Sequence, residues 1–283
     1  PEDYQKLVAD RVNKGFTVIQ VVAGLHCDMP AFDKRGFNEA GHPWEPEYAR
    51  INPAFFDMMD LRIGWLVHCG LVPCIFGAWG FHLLWMGMDK MKQHWRYLVA
   101  RYGAYPVVWS LAGSVNMPYY LSQTREQDGE RLREGWTEMA RYLREIDPYQ
   151  HPRVAHPFPF QPEPSAMEQE GLLDCYFLHT GQGGWQGFPR RMGLISQVLQ
   201  RQPRMPVIQG EGCFEGFVDS NWEEVQRANF YASYLLGLRG LTYSANGIWQ
   251  FNNPGDLFGP SAGGGTLGNI LWQDAYRLPG SEQ

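Results

Sequence analysis

The sequence is short of the features that would tie it to several common partners. Its 283 residues carry 24 Lys and Arg against 30 Asp and Glu, a formal net charge of -6, so no basic footprint for nucleic acid exists. No apolar run is long enough to span a bilayer: the most apolar windows, around Val18, Val72 and Leu235, are short or broken by glycine. The five cysteines, Cys27, Cys69, Cys74, Cys175 and Cys213, form no Cys-x-x-Cys pair and are odd in number, which favours buried free thiols over a disulfide framework. No Gly-rich phosphate fingerprint follows an early strand, and no His-x-His stands on a first strand. A signal-peptide pattern is also missing, but so is an initiator Met. The native N-terminus is therefore treated as absent, and the expectation is a soluble protein of a bacterial-type cytoplasm or periplasm.

What is present is a well-patterned globular chain, 44% hydrophobic and only 19% charged, which excludes disorder. Aromatic residues make up 14%, with 11 Trp, a supply that suits either a large core or the stacking floors of a sugar cleft. Short β-branched or apolar runs alternate with helical periodicity, and nothing reads as a hairpin. Strands are expected at 16–24, 71–77, 106–112, 153–157, 173–180, 207–209 and 240–246. The first is so continuously β-branched that it reads as buried on both faces. Helices are expected at 3–14, 53–69, 88–102, 129–146, 190–202 and 222–238, with a short piece around 272–276 in a Gly-rich tail from 247 to 283. The long polar excursion from 25 to 52 reads as an ordered wall because Phe32, Phe37 and Trp44 are embedded in it.

This alternation implies an α/β fold with a parallel sheet. Seven strands preceded by a helix suggest a (β/α)8 barrel that lacks its first strand and is clipped at its last helix, one domain over 1–283; a doubly wound open sheet is the alternative. In a barrel the polar residues at strand ends gather on one rim. Those residues are His26 and Asp28, Trp79 and His82, Ser114 and Asn116, His179, Glu211 and Glu215, then Tyr243, Asn246 and Trp249. Glu211 stands out, placed where a buried strand stops between two glycines that let a ligand approach. Taken singly, each His is more often a satisfied core residue and each Trp more often a wall; the recurrence at successive strand ends is what points to a site.

The runs Gly15-Phe-Thr-Val-Ile-Gln-Val-Val-Ala-Gly24, Tyr105-Pro-Val-Val-Trp-Ser-Leu-Ala-Gly113, Val207-Ile-Gln-Gly-Glu-Gly212 and Tyr243-Ser-Ala-Asn-Gly-Ile-Trp249 resemble the apiosidase-like glycoside hydrolases, in order and over nearly the whole chain. The resemblance implies a (β/α)8 barrel with two catalytic carboxylates, after barrel strands four and seven. The family's usual opening Leu-x-Asp-Thr-x-Trp segment is absent, in keeping with a missing first strand. Its members usually carry Trp-x-x-x-Gly-Glu or Gly-Asp at the strand-four end, where this chain has Trp109-Ser-Leu-Ala-Gly-Ser114. A serine hydroxyl cannot replace a tuned carboxylic acid as proton donor. Three explanations stand: a deliberately inactivated variant, which is the favoured one, a natural binder, or protonation from Asp28, Glu39 or Glu215.

On this reading Glu211 is the nucleophile of a retaining glycosidase and Ser114 occupies the acid/base position. Tyr243 would hydrogen-bond Glu211, and His179 would do the same from the other side or bind a sugar hydroxyl. Asn116 would meet the hydroxyl next to the anomeric carbon, and Trp79, Trp85, Trp185 and Trp249 would offer stacking faces. His26, Asp28 and Glu39 would read the non-reducing end, with His82 beside them. No metal and no cofactor are expected, the partner is a small carbohydrate or glycoside, and the oligomeric state is left open. The competing readings are a non-catalytic carbohydrate-binding pseudo-enzyme and a metal-dependent hydrolase using His26, Asp28, His82, His179 and Glu211.

Overall fold

All seven expected strands form, in order, and every pairing between them is parallel. The structure, a computed structural model, describes residues 2–217, 221–264 and 268–282. Residues 265–267 and 283 of the Gly-rich tail lie outside the described residues. The chain divides into two compact units, Pro1–His156 with Glu163–Asp174, and Pro157–Pro162 with Cys175–Gln283.

The first unit opens with α1 (Glu2–Asn13) and holds a four-stranded sheet in the order β1 (Val18–Val22), β2 (Val72–Phe76), β3 (Val108–Ser110), β4 (Arg153–Val154). Between these run α2 (Pro53–His68), α3 (His82–Met86), α4 (Met88–Tyr102) and α5 (Arg125–Ile146), and α6 (Ser165–Gln169) follows β4. The apolar spacing of α5 works as expected: Leu132, Trp136, Met139, Ala140 and Leu143 share one face, and all are fully buried. They pack in the main core with Trp95, Trp109, Phe56 and Ile63, from α4, β3 and α2. At about 1.5–3 kcal/mol for each large side chain fully removed from water, this cluster dominates the unit's stability.

One expectation fails here. β1 is an edge strand of its sheet and, among the described residues, pairs with β2 alone, so Val18 is exposed and Ile19 to Val22 are half-buried, unlike β2, which is buried along most of its length. The β-branched run reported strand propensity, not burial on both faces.

The second unit contains β5 (Tyr176–His179), α7 (Phe188–Leu199), β6 (Val207–Glu211), α8 (Glu223–Leu236), β7 (Gly240–Leu241) and the short α9 (Trp272–Ala275). Its sheet has β6 at the centre, between β5 and β7. Tyr176, Leu178, Val207, Ile195 and Val198 form its apolar centre. Leu178 pairs with Gln209 but His179 pairs with Glu211, so Gly210 is the extra residue of a bulge. A side chain at 210 would force its surroundings to shift, because a Cβ there would lie 2.5 Å from the Phe177 ring. Bulges re-aim side chains, and this one falls next to Glu211. All five cysteines are free thiols and all but Cys69 are buried.

Candidate functional site

In the first unit, the strand ladder continues past its formal ends. Trp79 and Gly113 are bridged in parallel register, with the Gly80 N–H on the Gly113 carbonyl at 2.7 Å. This sets Trp79 and Ser114 at neighbouring strand ends. Ser114 is buried at 3% exposure and takes a left-handed backbone, φ 49°, a conformation that is uncommon for residues other than glycine. Its N–H faces Nδ1 of His156 at 3.4 Å, and the next N–H, from Val115, donates to the His156 carbonyl at 2.9 Å. The His156 ring in turn lies beside Phe76 and Trp79, with centroids 5.8 and 6.1 Å away. His156 is not among the residues singled out from the sequence, although it lies within the expected fourth strand, two residues past the end of β4.

His82 has a structural assignment. Its Nε2–H donates to the His26 carbonyl at 2.9 Å, tying α3 to the loop after β1, and burial pushes its pKa down to about 3, so the ring is neutral. His26 is pushed down to about 4, by desolvation first and then by neighbouring His42. Asp28 is half-buried with φ 59°. Trp85 is wedged edge-on against Tyr119 and His82, at 4.8 and 4.9 Å between centroids. Asn116 is buried. Glu39 is exposed and paired with Arg62 at 2.6 Å, and that hydrogen bond holds its carboxyl below the usual range. An ionised, paired carboxylate is a poor proton donor, so Glu39 does not fit the role of replacement acid.

In the second unit, Glu211 ends the central strand half-buried. Its carbonyl accepts from the Thr180 N–H at 2.9 Å and from the Thr180 hydroxyl at 3.3 Å. Oε1 of its carboxylate accepts from Nε2 of Gln182 at 2.9 Å, and Oε2 lies 3.3 Å from Nδ1 of His179. The expected meeting of His179 and Glu211 is therefore present; it is an ion pair only when the imidazole is protonated. Below them Gln209, fully buried, donates to the Thr180 hydroxyl at 2.6 Å and accepts from Ser233 of α8 at 3.0 Å.

Tyr243 does not take the place expected for it. Its hydroxyl donates to Oε2 of Glu215 at 2.5 Å, and the Gly280 N–H donates to the other oxygen at 3.0 Å. Glu215 is fully buried. A carboxylate enclosed and bonded through both oxygens cannot hand a proton to a leaving group, so Glu215 also drops out as replacement acid. Asn246 donates to the Gly216 carbonyl at 2.8 Å. Trp249 is half-buried, edge-on to Phe258 at 5.1 Å.

Gln182, like His156, is not among the residues singled out from the sequence. Its only signal was a lone polar side chain inside the glycine-rich stretch after β5. Within either unit taken by itself, no three His, Cys, Asp or Glu among the described residues come close enough to hold a metal. No described helix is long and apolar enough to cross a membrane.

A sequence profile described as "Apiosidase-like, catalytic domain" matches residues 1–283. Among solved structures, one titled "Glycoside hydrolase" superposes with a TM-score of 0.72 at 22% identity, covering 100% of this chain and 64% of that one. A family 5 glycoside hydrolase from Bacteroides vulgatus follows at 0.70 and 20%, covering 99% and 61%. The endo-1,4-β-D-mannanase of Thermotoga petrophila gives 0.62 at 15%, covering 95% and 91%. The chain thus spans less than two thirds of the length of the first two. At these identities the likeness is one of fold, the α/β architecture of the (β/α)8-barrel hydrolases. Among curated proteins, none matches the chain in sequence.

Proposed function

Since the chain belongs to the apiosidase-like family, we propose that it acts on a glycosidic bond as a retaining glycoside hydrolase, with Glu211 as nucleophile and position 114 in the place of the acid/base. The observation that carries this reading is the setting of Glu211: a half-buried carboxylate at a bulged strand end, with a donor on one oxygen and an imidazole beside the other. Glycoside cleavage passes through an oxocarbenium-like state, so a fixed negative charge beneath the anomeric carbon lowers the barrier. The hydrogen bond from Gln182 keeps that carboxylate oriented and favours its ionised form.

Ser114 is the weak half of the machinery. With no carboxylic acid at 114, a leaving oxygen that Asp28 does not protonate must depart unprotonated, which an activated aryl leaving group tolerates and a sugar or alkyl group does not. The chain as it stands is therefore expected to release dinitrophenol from dinitrophenyl glycosides while sparing natural linkages. Ser114→Asp and Ser114→Glu restore the acid. Asp is the easier fit, because a left-handed backbone is more often adopted by Asp than by Glu.

The same serine favours a second reading, a carbohydrate binder without turnover. The decisive experiment assays the parent, Ser114→Asp, Ser114→Glu and Glu211→Gln on a panel of aryl glycosides, with calorimetric titration against the free sugars. Hydrolysis that appears with the carboxylate at 114 and vanishes in Glu211→Gln supports the enzyme. Sugar binding with no turnover in any version, including dinitrophenyl substrates, leaves the binder. The anomeric configuration of the first-formed product decides retention against inversion.

A further inference from the structure

We propose that Gln182 is the positioning residue for Glu211, a role that rests on Glu211 being the reactive carboxylate. A glutamate at a strand end has a broad torsional preference about its last bond, so its carboxylate plane must be fixed from outside. Gln182 does this from the loop after β5. Its Nε2 donates to Oε1 of Glu211 at 2.9 Å and to the Gly212 carbonyl at 3.3 Å. Its own Oε1 accepts the Phe214 N–H at 2.9 Å. That last bond settles the amide's orientation, because flipping it would set two donors face to face at Phe214 and two acceptors face to face at Glu211.

The loop that carries Gln182 is itself tied down on both sides. The Gln182 carbonyl accepts from Asn221 Nδ2 at 2.6 Å, and the Gly183 carbonyl from Nη2 of the fully buried Arg191 at 2.6 Å. Gly181 has φ +74° and lies so near Phe160 that a Cβ would come within 2.5 Å of its ring. These anchors hold the amide in register with the 212–214 turn, so the carboxylate inherits the rigidity of both loops.

The chemistry explains why an amide suits this position. A neutral donor orients a carboxylate at any pH without cancelling its charge, as Lys or Arg would. The His179 contact, by comparison, changes with the charge and tautomer of the ring.

The test compares the parent with Gln182→Met and Gln182→Glu. Glu keeps the acceptor for Phe214 while removing the donor toward Glu211, so it remains informative if Met disturbs the fold. The first readout is the titration of Glu211 followed by NMR on protein labelled at the glutamate side-chain carboxyl carbon, the resonance assigned by its loss in Glu211→Gln. The midpoint is expected to rise by about one pH unit in Gln182→Met, and further in Gln182→Glu through like-charge repulsion. The second is turnover of a dinitrophenyl glycoside, where kcat is expected to fall about 10- to 100-fold with KM nearly constant. A merely structural role would lower the melting temperature and leave the midpoint in place. An unchanged midpoint in both variants, with the fold intact, overturns the proposal. If no version hydrolyses any glycoside, Ser114→Glu included, but the midpoints move as stated, the positioning role stands and the enzymatic reading falls.

Discussion

Tyr243 and Glu215 are joined by a 2.5 Å hydrogen bond inside the second unit, and Gly280 closes the carboxylate from the far end of the chain. The pair therefore links the loop after β6, the segment after β7 and the 3-10 turn Pro279–Ser281. Removing the phenol leaves a buried charge short of one donor, at a cost of about 1–3 kcal/mol. Tyr243→Phe is expected to lower the denaturant midpoint and to speed hydrogen exchange at the Gly280 amide. If stability is untouched while sugar affinity drops, Tyr243 contacts ligand and is no anchor.

The bulge at Gly210 yields a second expectation. Ala at this position adds one methyl against Phe177, and overpacking of this kind costs about 1–3 kcal/mol. Relief requires β6 to shift against β5, which moves Glu211 relative to His179 and Gln182. Gly210→Ala is accordingly expected to lose more turnover than stability explains, measured at a temperature where the variant is fully folded.

The order of the strands was legible because each is a short apolar run ended by glycine or a polar turn, and α5 because its apolar residues recur at helical spacing. Other features were not. The single-turn helix α3 carries no capping signal, and His82-Leu-Leu-Trp85 reads equally well as an aromatic loop. The half-exposure of β1 depends on which strands flank it, which local sequence does not encode. Gln182 meets Glu211 across 29 positions, and a glutamine among glycines has no periodicity to reveal such a contact. Tyr243 reaches Glu215 where Glu211 was expected, four positions earlier. The chain turns between those two residues, and the bulge just before them resets the register, so strand order alone does not reveal the bond to Glu215.

Acid should weaken the first unit well before its carboxylates titrate. His82 and His94 are buried, and burial lowers their pKa from 6.5 to about 3 and about 4. His94 is neutral with both nitrogens in use, accepting from the Trp44 indole at 3.2 Å and donating to the Gly77 carbonyl at 2.7 Å. Below pH 6.5 the unfolded chain binds protons at these positions and the folded one does not. Stability is thus greatest above pH 6.5, falls as pH drops, and levels off near 3–4. The slope is up to about 1.4 kcal/mol per pH unit for each histidine. Urea midpoints between pH 7.5 and 5 should decline accordingly, and His94→Gln should flatten the decline. A flat profile in the parent would mean that these rings protonate without unfolding the protein.

Gly113 and Trp79 allow a sharper test of how the strand end before Ser114 is built. A Cβ on Gly113 would overlap the Trp79 ring, so glycine here makes room for the indole. The same ring is also flanked by Phe76, nearly parallel at 6.4 Å, and by His156 at 6.1 Å. Gly113→Ala alone is expected to destabilise by about 1–3 kcal/mol through overpacking. In a Trp79→Ala background the same change should cost almost nothing, because the ring it strikes is gone. The coupling from this double-mutant cycle, read by urea denaturation, should equal most of the single-mutant penalty. Additive penalties would show that the alanine strains the backbone and not the indole. Sugar titration on the same four proteins then separates two uses of Trp79. A stacking platform loses affinity in both single variants. A packing wall loses stability alone, since shifting or removing its ring takes nothing away from a bound sugar.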